Sequence, residues 1–370
     1  MTPLLTLSSP APDWAAGRTG TFHSRYPRAS AFGRFVGEVG HRYDGHARPR
    51  VADFSLWNEP NHPEFLSPQR ATGGRLIAPA LLRGLLRAAG AALAATGHGH
   101  DTILIGEWLP AGTNQACGAC TQKPLTFARE LLCLDHHNRP FAPVEARHHK
   151  GCRGHFTPLP GTAWAVHPYV HQGNPARPPP TPDDLSPLTL GRLREVSAAA
   201  ARAGRLHRDM KIWETEDGTP SNPPAKSHGV SLALQARYLN ESEWLAWRTP
   251  FVVTTAHYTL RDEASSPFST GLEFADGRPK PALAAYRLAL IVTRPTRASP
   301  VARLWMHLLG PQHSVTILAP DGTRKTLPTD SRTRYINLTI RSRWHRSGRW
   351  RALLQNGTSS RSATELLGST

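Results

Sequence analysis

The sequence predicts an α/β fold, a parallel sheet covered by helices, followed by a small β-rich segment. Three observations predict it. Six short apolar, β-branched runs alternate along the chain with longer amphipathic stretches. Each run is followed by a helical pattern, at a spacing of about 45 residues that fits successive βα units. From Pro295 the helical period disappears, and short strands divided by Asp-Gly and Asn-Gly turns take over.

The first strand is PLLTLSS (3–9), and the helix after it is AFGRFVGEVGHRY (31–43), with apolar residues at helical spacing. VADFSLWN (51–58) precedes LIAPALLRGLLRAAGAALAAT (76–96), and TILIGEW (102–108) precedes PLTFARELLCL (124–134). TAWAVHPY (162–169) is followed by LTLGRLREVSAAAARAG (188–204), and MKIWETE (210–216) by SLALQARYLNESEWLAW (231–247). The sixth strand, FVVTTAHYTL (251–260), leads to a helical PALAAYRLAL (281–290). Beyond it, SVTILAPDGTRKTL, TRYINLTI and RWRALLQNG read as strands of a β-sandwich-like appendage. The expected domains are therefore residues 1–295 and 296–370.

A chain of 370 residues with 39% hydrophobic content has room for one large core and a small one. No stretch approaches 18 consecutive apolar residues, and MTPLLTLSSPAPDWAAG lacks the basic start of a signal peptide, so neither a membrane span nor an export address is expected from these letters. The formal charge of +17 suggests an acidic polymer at first sight. Only six of the 44 basic residues are lysine, the arginines are spread through helices and loops, and no RRM, KH or zinc-finger pattern is present. A solvated, arginine-rich surface is the expectation, and a nucleic-acid partner is not. Cys117, Cys120, Cys133 and Cys152 fall within one segment, where spacing alone allows zinc, free thiols or any of three disulfide pairings. Only Cys117-Gly-Ala-Cys120 has the form of a zinc knuckle, so two disulfides stapling a long loop, in an oxidising compartment, are expected.

Function in a parallel α/β fold sits at the carboxyl ends of the strands. The polar residues there are Asn58-Glu59, Glu107, His167 to Tyr169, Glu214 with Glu216, and His257-Tyr258. Glu59 and Glu216 form a carboxylate pair on non-adjacent strands. Glycosidic cleavage needs such a pair, one protonated to assist the leaving oxygen and one ionised to meet the oxocarbenium-like centre. Glu107 reads as a strand-end structural carboxylate, and Trp108 and Trp247 as packing residues.

LWNEPN (56–61), a strand ending in HPY (167–169) and another reading WETEDG (213–218) resemble the clan A glycoside hydrolases, retaining (β/α)8-barrel enzymes, in particular the β-xylosidase-like and endoglycanase-like branches of actinobacteria. The resemblance implies Glu59 as acid/base, Asn58 as hydrogen-bond donor to the sugar 2-hydroxyl, and Glu216 as nucleophile. It places His167 and Tyr169 on the sixth strand, lining the sugar site and holding the nucleophile. Tyr258 stands where the clan usually has a Trp beneath the sugar. Glu214 shares the strand face of Glu216 by alternation and is its rival, with a deeper, buried role expected. No metal or organic cofactor is implied, and the substrate is a plant or microbial poly- or oligosaccharide.

With WNEP ending the fourth strand of the clan's barrel, PLLTLSS becomes the third, and nothing occupies strands one and two. The expected fold is a (β/α)8 TIM-barrel-like domain, N-terminally incomplete with strands three to eight, plus the small C-terminal β-sandwich-like domain. Six strands do not close an eight-stranded barrel. A start lying further upstream, with its own signal peptide, is the expected cause, and together with the cysteines it points to an extracellular protein. The competing class is a catalytically silent carbohydrate-binding remnant of the same family.

Overall fold

The computed structural model describes residues 2–17, 25–170, 173–266, 268–310, 314–330, 332–345, 348–355, 360–363 and 365–367. Two compact units divide the chain. The first comprises residues 1–169, 177–217 and 250–256, and the second residues 170–176, 218–249 and 257–370.

In the first unit the order is β1 (Leu4–Leu7), α1 (Ala29–Arg42), β2 (Asp53–Leu56), α2 (Ala78–Ala95), β3 (Thr102–Trp108), α3 (Pro124–Leu131), β4 (Ala163–Val166), α4 (Gly191–Arg202) and β5 (Lys211–Asp217). Among the described residues these strands and β8 (Val252–His257) form one six-stranded sheet in the order β1-β2-β3-β4-β5-β8, and successive pairs from β1 to β5 are parallel. This is the expected α/β architecture of (β/α)8 type, represented by six strands.

Alternation along the strands separates two faces. Phe54, Leu56, Ile103, Ile105, Trp164, Val166 and Ile212 join Leu82, Leu85, Leu86 and Leu93 of α2 in the main core. The opposite face carries Leu104, Ala163 and Ala165, with Leu4 and Trp213 against them. Trp108 is fully buried between Phe127 and Trp164, ring centroids 5.4 and 5.6 Å away, and so is a packing residue as expected. Helix α2 is the one described helix long and apolar enough to cross a membrane, but it lies half buried in this core, with Leu82, Leu85, Leu86 and Leu93 on its buried side. Helix α1 approaches it closely because residue 33 is glycine. A Cβ there would stand 3.1 Å from both the Cβ and the carbonyl oxygen of Ala88.

The cysteines form two disulfides, Cys117 to Cys120 and Cys133 to Cys152. The second spans 19 positions. Closing a loop of that size stabilises a fold by about 3 kcal/mol in the chain-entropy account.

The second unit contains β6 (Ser221–Asn222) and β7 (Val230–Ser231), which pair with each other, then α5 (Leu232–Trp247) and α6 (Pro281–Arg287). Eight further strands follow: β9 (Leu288–Arg294), β10 (Val301–Leu308), β11 (Ser314–Leu318), β12 (Arg324–Pro328), β13 (Tyr335–Arg341), β14 (Trp350–Leu354), β15 (Ser360–Ala363) and β16 (Glu365–Leu367). They form two four-stranded sheets, ordered β13-β10-β9-β16 and β12-β11-β14-β15. Leu290, Val292, Leu304 and Met306 of one sheet share a core with Val315, Ile317, Trp350 and Ala352 of the other, as in a β-sandwich. The helix expected over 281–290 ends at Arg287, and Leu288 begins a strand. Every residue of LALIVTR is buried, so no alternation marks it as a strand, and an apolar run of this kind is not separable from a buried helix by period. The hairpin at Asp321-Gly322 joins β11 to β12 as expected. The Asn-Gly turn after Gln355 lies outside the described residues.

Candidate active site

Strand alternation starting from Ala163 and Ala165 puts His167 on the inner face of the sheet, and alternation from Leu4 puts Thr6 there too. Strand β2 ends at Leu56, and the three residues after it make an unusual turn. Trp57 and Glu59 both take left-handed backbone conformations, with φ of 75° and 37°. Non-glycine residues are rarely held so, at a cost of about 1–3 kcal/mol each, unless the surroundings impose it. For Trp57 the surroundings are visible. Its ring is 1% exposed, it meets Phe32 edge-on at 5.2 Å, and its Nε1–H donates to Phe65 O at 2.9 Å. The Asn58 backbone N–H donates to Ser8 Oγ at 2.9 Å, tying the turn to the end of β1.

Asn61 secures the turn from the other side. It is fully buried, its Nδ2 donates to Leu109 O at 3.0 Å and Gln122 O at 2.9 Å, and its Oδ1 accepts from Leu109 N–H. The second Asn of LWNEPN is thus a structural clamp on the chain beyond β3. Sequence reading did not assign it, although a polar residue directly after a strand-end Glu-Pro was the available signal.

The turn aims Glu59 at His167. His167 Nδ1 lies 3.0 Å from Glu59 Oε1 and 3.6 Å from Glu216 Oε2, and Tyr169 OH donates to Glu216 Oε2 at 2.7 Å. One donor atom each from Glu59, His167 and Glu216 lies within 4.8 Å of the other two, a set that can also hold a metal ion. The Glu216 side chain keeps 27% of its surface exposed and that of Glu59 11%. Four of the expected residues are thereby brought together. Asn58 is half-buried beside them in sequence, while Tyr258 belongs to the second unit, where its ring lies 6.2 Å from that of Phe268.

A third carboxylate joins the group. Glu107, at φ 44° and 2% exposed, accepts from Thr6 Oγ1 at 2.9 Å and lies 4.0 Å from His167 Nε2. Read from sequence as a structural strand-end acid, it sits beside the histidine that the other two glutamates share. Burial alone would lower the His167 pKa. The hydrogen bond to Glu59 and the charges of Glu216, Glu107 and Glu59 outweigh burial and hold it above the ordinary histidine value. Burial pushes the Glu216 carboxyl up and Glu59 adds to this, while His167 and Tyr169 pull it back without cancelling the rise. Glu107 is also raised by burial, with His167 and Thr6 opposing. The Tyr169 phenol is raised by burial and by Glu216, so it remains a hydrogen-bond donor across the working range of pH.

Glu214 has a different place. It pairs in register with Val166, two residues after Ile212, on the side of the helix-facing core. The expectation of a buried partner role is half met. Glu214 is 1% exposed, and neither carboxylate oxygen has a hydrogen-bond partner among the described residues. Burial, with Asp217 adding, pushes its pKa well above the usual carboxylate range. A group whose folded pKa is raised binds its proton more tightly folded than unfolded, so folding stability falls as pH rises from the unfolded value near 4.5. Glu214→Met should flatten this slope and raise the unfolding temperature more at pH 8 than at pH 5. Equal shifts at both pH values would contradict the assignment.

Neither a protein-family model nor a curated protein matches the chain. Among solved structures, a family 39 glycoside hydrolase from Bacteroides cellulosilyticus WH2 matches with a TM-score of 0.53 and 14% identity, over 92% of this chain and 68% of that one. A GH5_18 protein from Streptomyces cattleya, in complex with GlcNAc, matches at TM-score 0.39 and 18% identity over 69% and 51% of the two chains. An endo-β-1,3-glucanase of family GH128 from Pseudomonas viridiflava matches at 0.38 and 14%, over 69% and 74%. The first likeness is one of fold, and it spans both the sheet and the β-rich part.

Proposed function

We propose that the chain is a retaining O-glycosyl hydrolase whose acid/base is Glu59 and whose nucleophile is Glu216. The observation that carries this reading is the approach of the two carboxylates to within 4.8 Å, oxygen to oxygen, on a shared histidine. Retention calls for carboxyl groups about 5–5.5 Å apart, and inversion for about 6.5–9.5 Å, to leave room for water. A separation of 9 Å or more would have argued against it.

In the first step a Glu216 oxygen attacks the anomeric carbon while Glu59 gives its proton to the departing oxygen, leaving a glycosyl ester on Glu216. In the second, Glu59 takes a proton from water as that water attacks the same carbon, and Glu216 leaves as carboxylate. Tyr169 holds the Glu216 oxygen that does not attack, and Asn58 faces the sugar 2-hydroxyl. The substrate is a glycan. The two disulfides, joined to the kinship of fold, favour an extracellular setting.

The test is the configuration of the first product, read by proton NMR during turnover of a panel of aryl glycosides. The same anomer as the substrate is expected. An inverted first product, or no turnover by any member of the panel, would overturn the reading.

A further inference from the structure

The outer face of the first sheet in the β-sandwich carries a second recess. Residues alternate along these strands, and Leu290, Val292, Leu304 and Met306 point into the sandwich core. The other face therefore presents Ile291 and Thr293 from β9, Arg303 and Trp305 from β10, and Asn337 from β13, with Trp305 opposite both Ile291 and Asn337 in register. The last turn of α5 adds Trp244 and Trp247, and Arg248 follows it. Together they line a half-open recess of about 150 Å³, room for a small ligand only.

Three features point to a ligand. First, Trp305 is 3% exposed, and its Nε1–H has no hydrogen-bond partner among the described residues. An indole N–H is a donor only, and a buried one without an acceptor loses its hydration without compensation. Second, Trp247 and Tyr335 are 41% and 48% exposed, and both rings lie near Trp305, at centroid distances of 5.9 and 6.1 Å. Such a shelf offers flat apolar faces to the C–H side of a pyranose. Third, the polar lining is donor-rich. Arg248, Arg303 and Trp305 donate, Thr293 and Asn337 donate or accept, and among the described residues no acidic side chain lines the recess. Glu243, on the same helix turn, is engaged by His307.

We infer that this recess binds an acidic sugar, a uronic acid residue of a glycan. Its carboxylate meets Arg303 and Arg248, a ring or hydroxyl oxygen accepts from Trp305, and its C–H face lies on Trp247. The site stands on residues of the second unit alone and does not rest on the carboxylate pair Glu59 and Glu216.

The test titrates the full chain calorimetrically with oligosaccharides of galacturonic acid and of glucuronic acid, and with neutral oligosaccharides of the same length. The Glu59→Gln/Glu216→Gln double variant serves as a background without turnover. Saturable binding of an acidic oligosaccharide is expected in both backgrounds, at least tenfold tighter than its neutral counterpart. Trp305→Phe keeps the ring and loses only the donor, so it should weaken binding about tenfold without changing the unfolding temperature. Arg303→Gln, on the exposed side, should weaken it similarly. No saturable binding of either acidic sugar, equal binding of neutral sugars, or binding untouched by both Trp305→Phe and Arg303→Gln would overturn the inference. Binding lost only in the double variant would assign the sugar to the carboxylate site and overturn it as well.

Discussion

Glu216→Ala should lower the turnover of aryl glycosides by about 10⁴-fold or more, equivalent to about 5 kcal/mol of transition-state stabilisation. Two carboxylates compete for the nucleophile's role on β5, and the structure separates them by surroundings. Glu216 is hydrogen-bonded to Tyr169, lies 3.6 Å from His167 and keeps part of its surface open. Glu214 is closed off at 1% exposure with neither oxygen partnered. An attacking oxygen must be ionised and must reach the anomeric carbon, and of the two carboxylates Glu216 is the more open and the one whose rise His167 and Tyr169 oppose. Glu214→Met is therefore expected to keep turnover within a few-fold of the parent. Added azide should restore part of the rate to Glu216→Ala, because a small anion can occupy the space that the carboxylate leaves, and the glycosyl azide should then have the inverted configuration. Full activity in Glu216→Ala, or loss in Glu214→Met alone, would exchange the two roles.

Side chains with chemistry at strand ends were legible in the sequence, and the backbone that aims them was not. WNEPN, HPY and WETEDG pointed to Glu59, His167, Tyr169 and Glu216 through their resemblance to the clan A glycoside hydrolases, helped by their position at strand ends. The left-handed turns at Trp57, Glu59 and Glu107 depend on contacts distant in sequence, such as Trp57 with Phe32, so no local pattern announced them. Glu107, expected as a structural strand-end acid, is buried and bonded to Thr6, but its place beside His167 was not legible for the same reason. Its proximity to His167 arises from the pairing of β3 with β4, which shifts register between Gly106 and Trp108. Among the secondary elements, α1 and α2 were readable from period, and TILIGEW from its β-branched letters. The strand β9 was not, since it is buried on both faces and continues directly from the helix α6. The pairing of Cys133 with Cys152 likewise needed the fold, because four cysteines in one segment allow three arrangements.

His167→Gln should lower kcat/KM by about 10²-fold and move the acid limb of the pH–rate profile upward. The imidazole faces three carboxylates, Glu59 at 3.0 Å, Glu216 at 3.6 Å and Glu107 at 4.0 Å. Their combined field keeps it protonated above the ordinary histidine range, and its charge in turn opposes the rise that burial imposes on Glu216. Glutamine retains a donor near Glu59 but carries no charge, so Glu216 should hold its proton to higher pH and become nucleophilic later. Stability follows with a definite sign. The folded pKa of His167 is raised, so its contribution is fully present below the unfolded value of about 6.5 and is lost as pH rises through the folded value. The drop in unfolding temperature caused by His167→Gln should therefore be larger at pH 6 than at pH 9. A histidine that merely filled space would produce neither effect. An acid limb that stays in place, with the same loss of stability at both pH values, would show that the charge shared by the three glutamates does not govern the site.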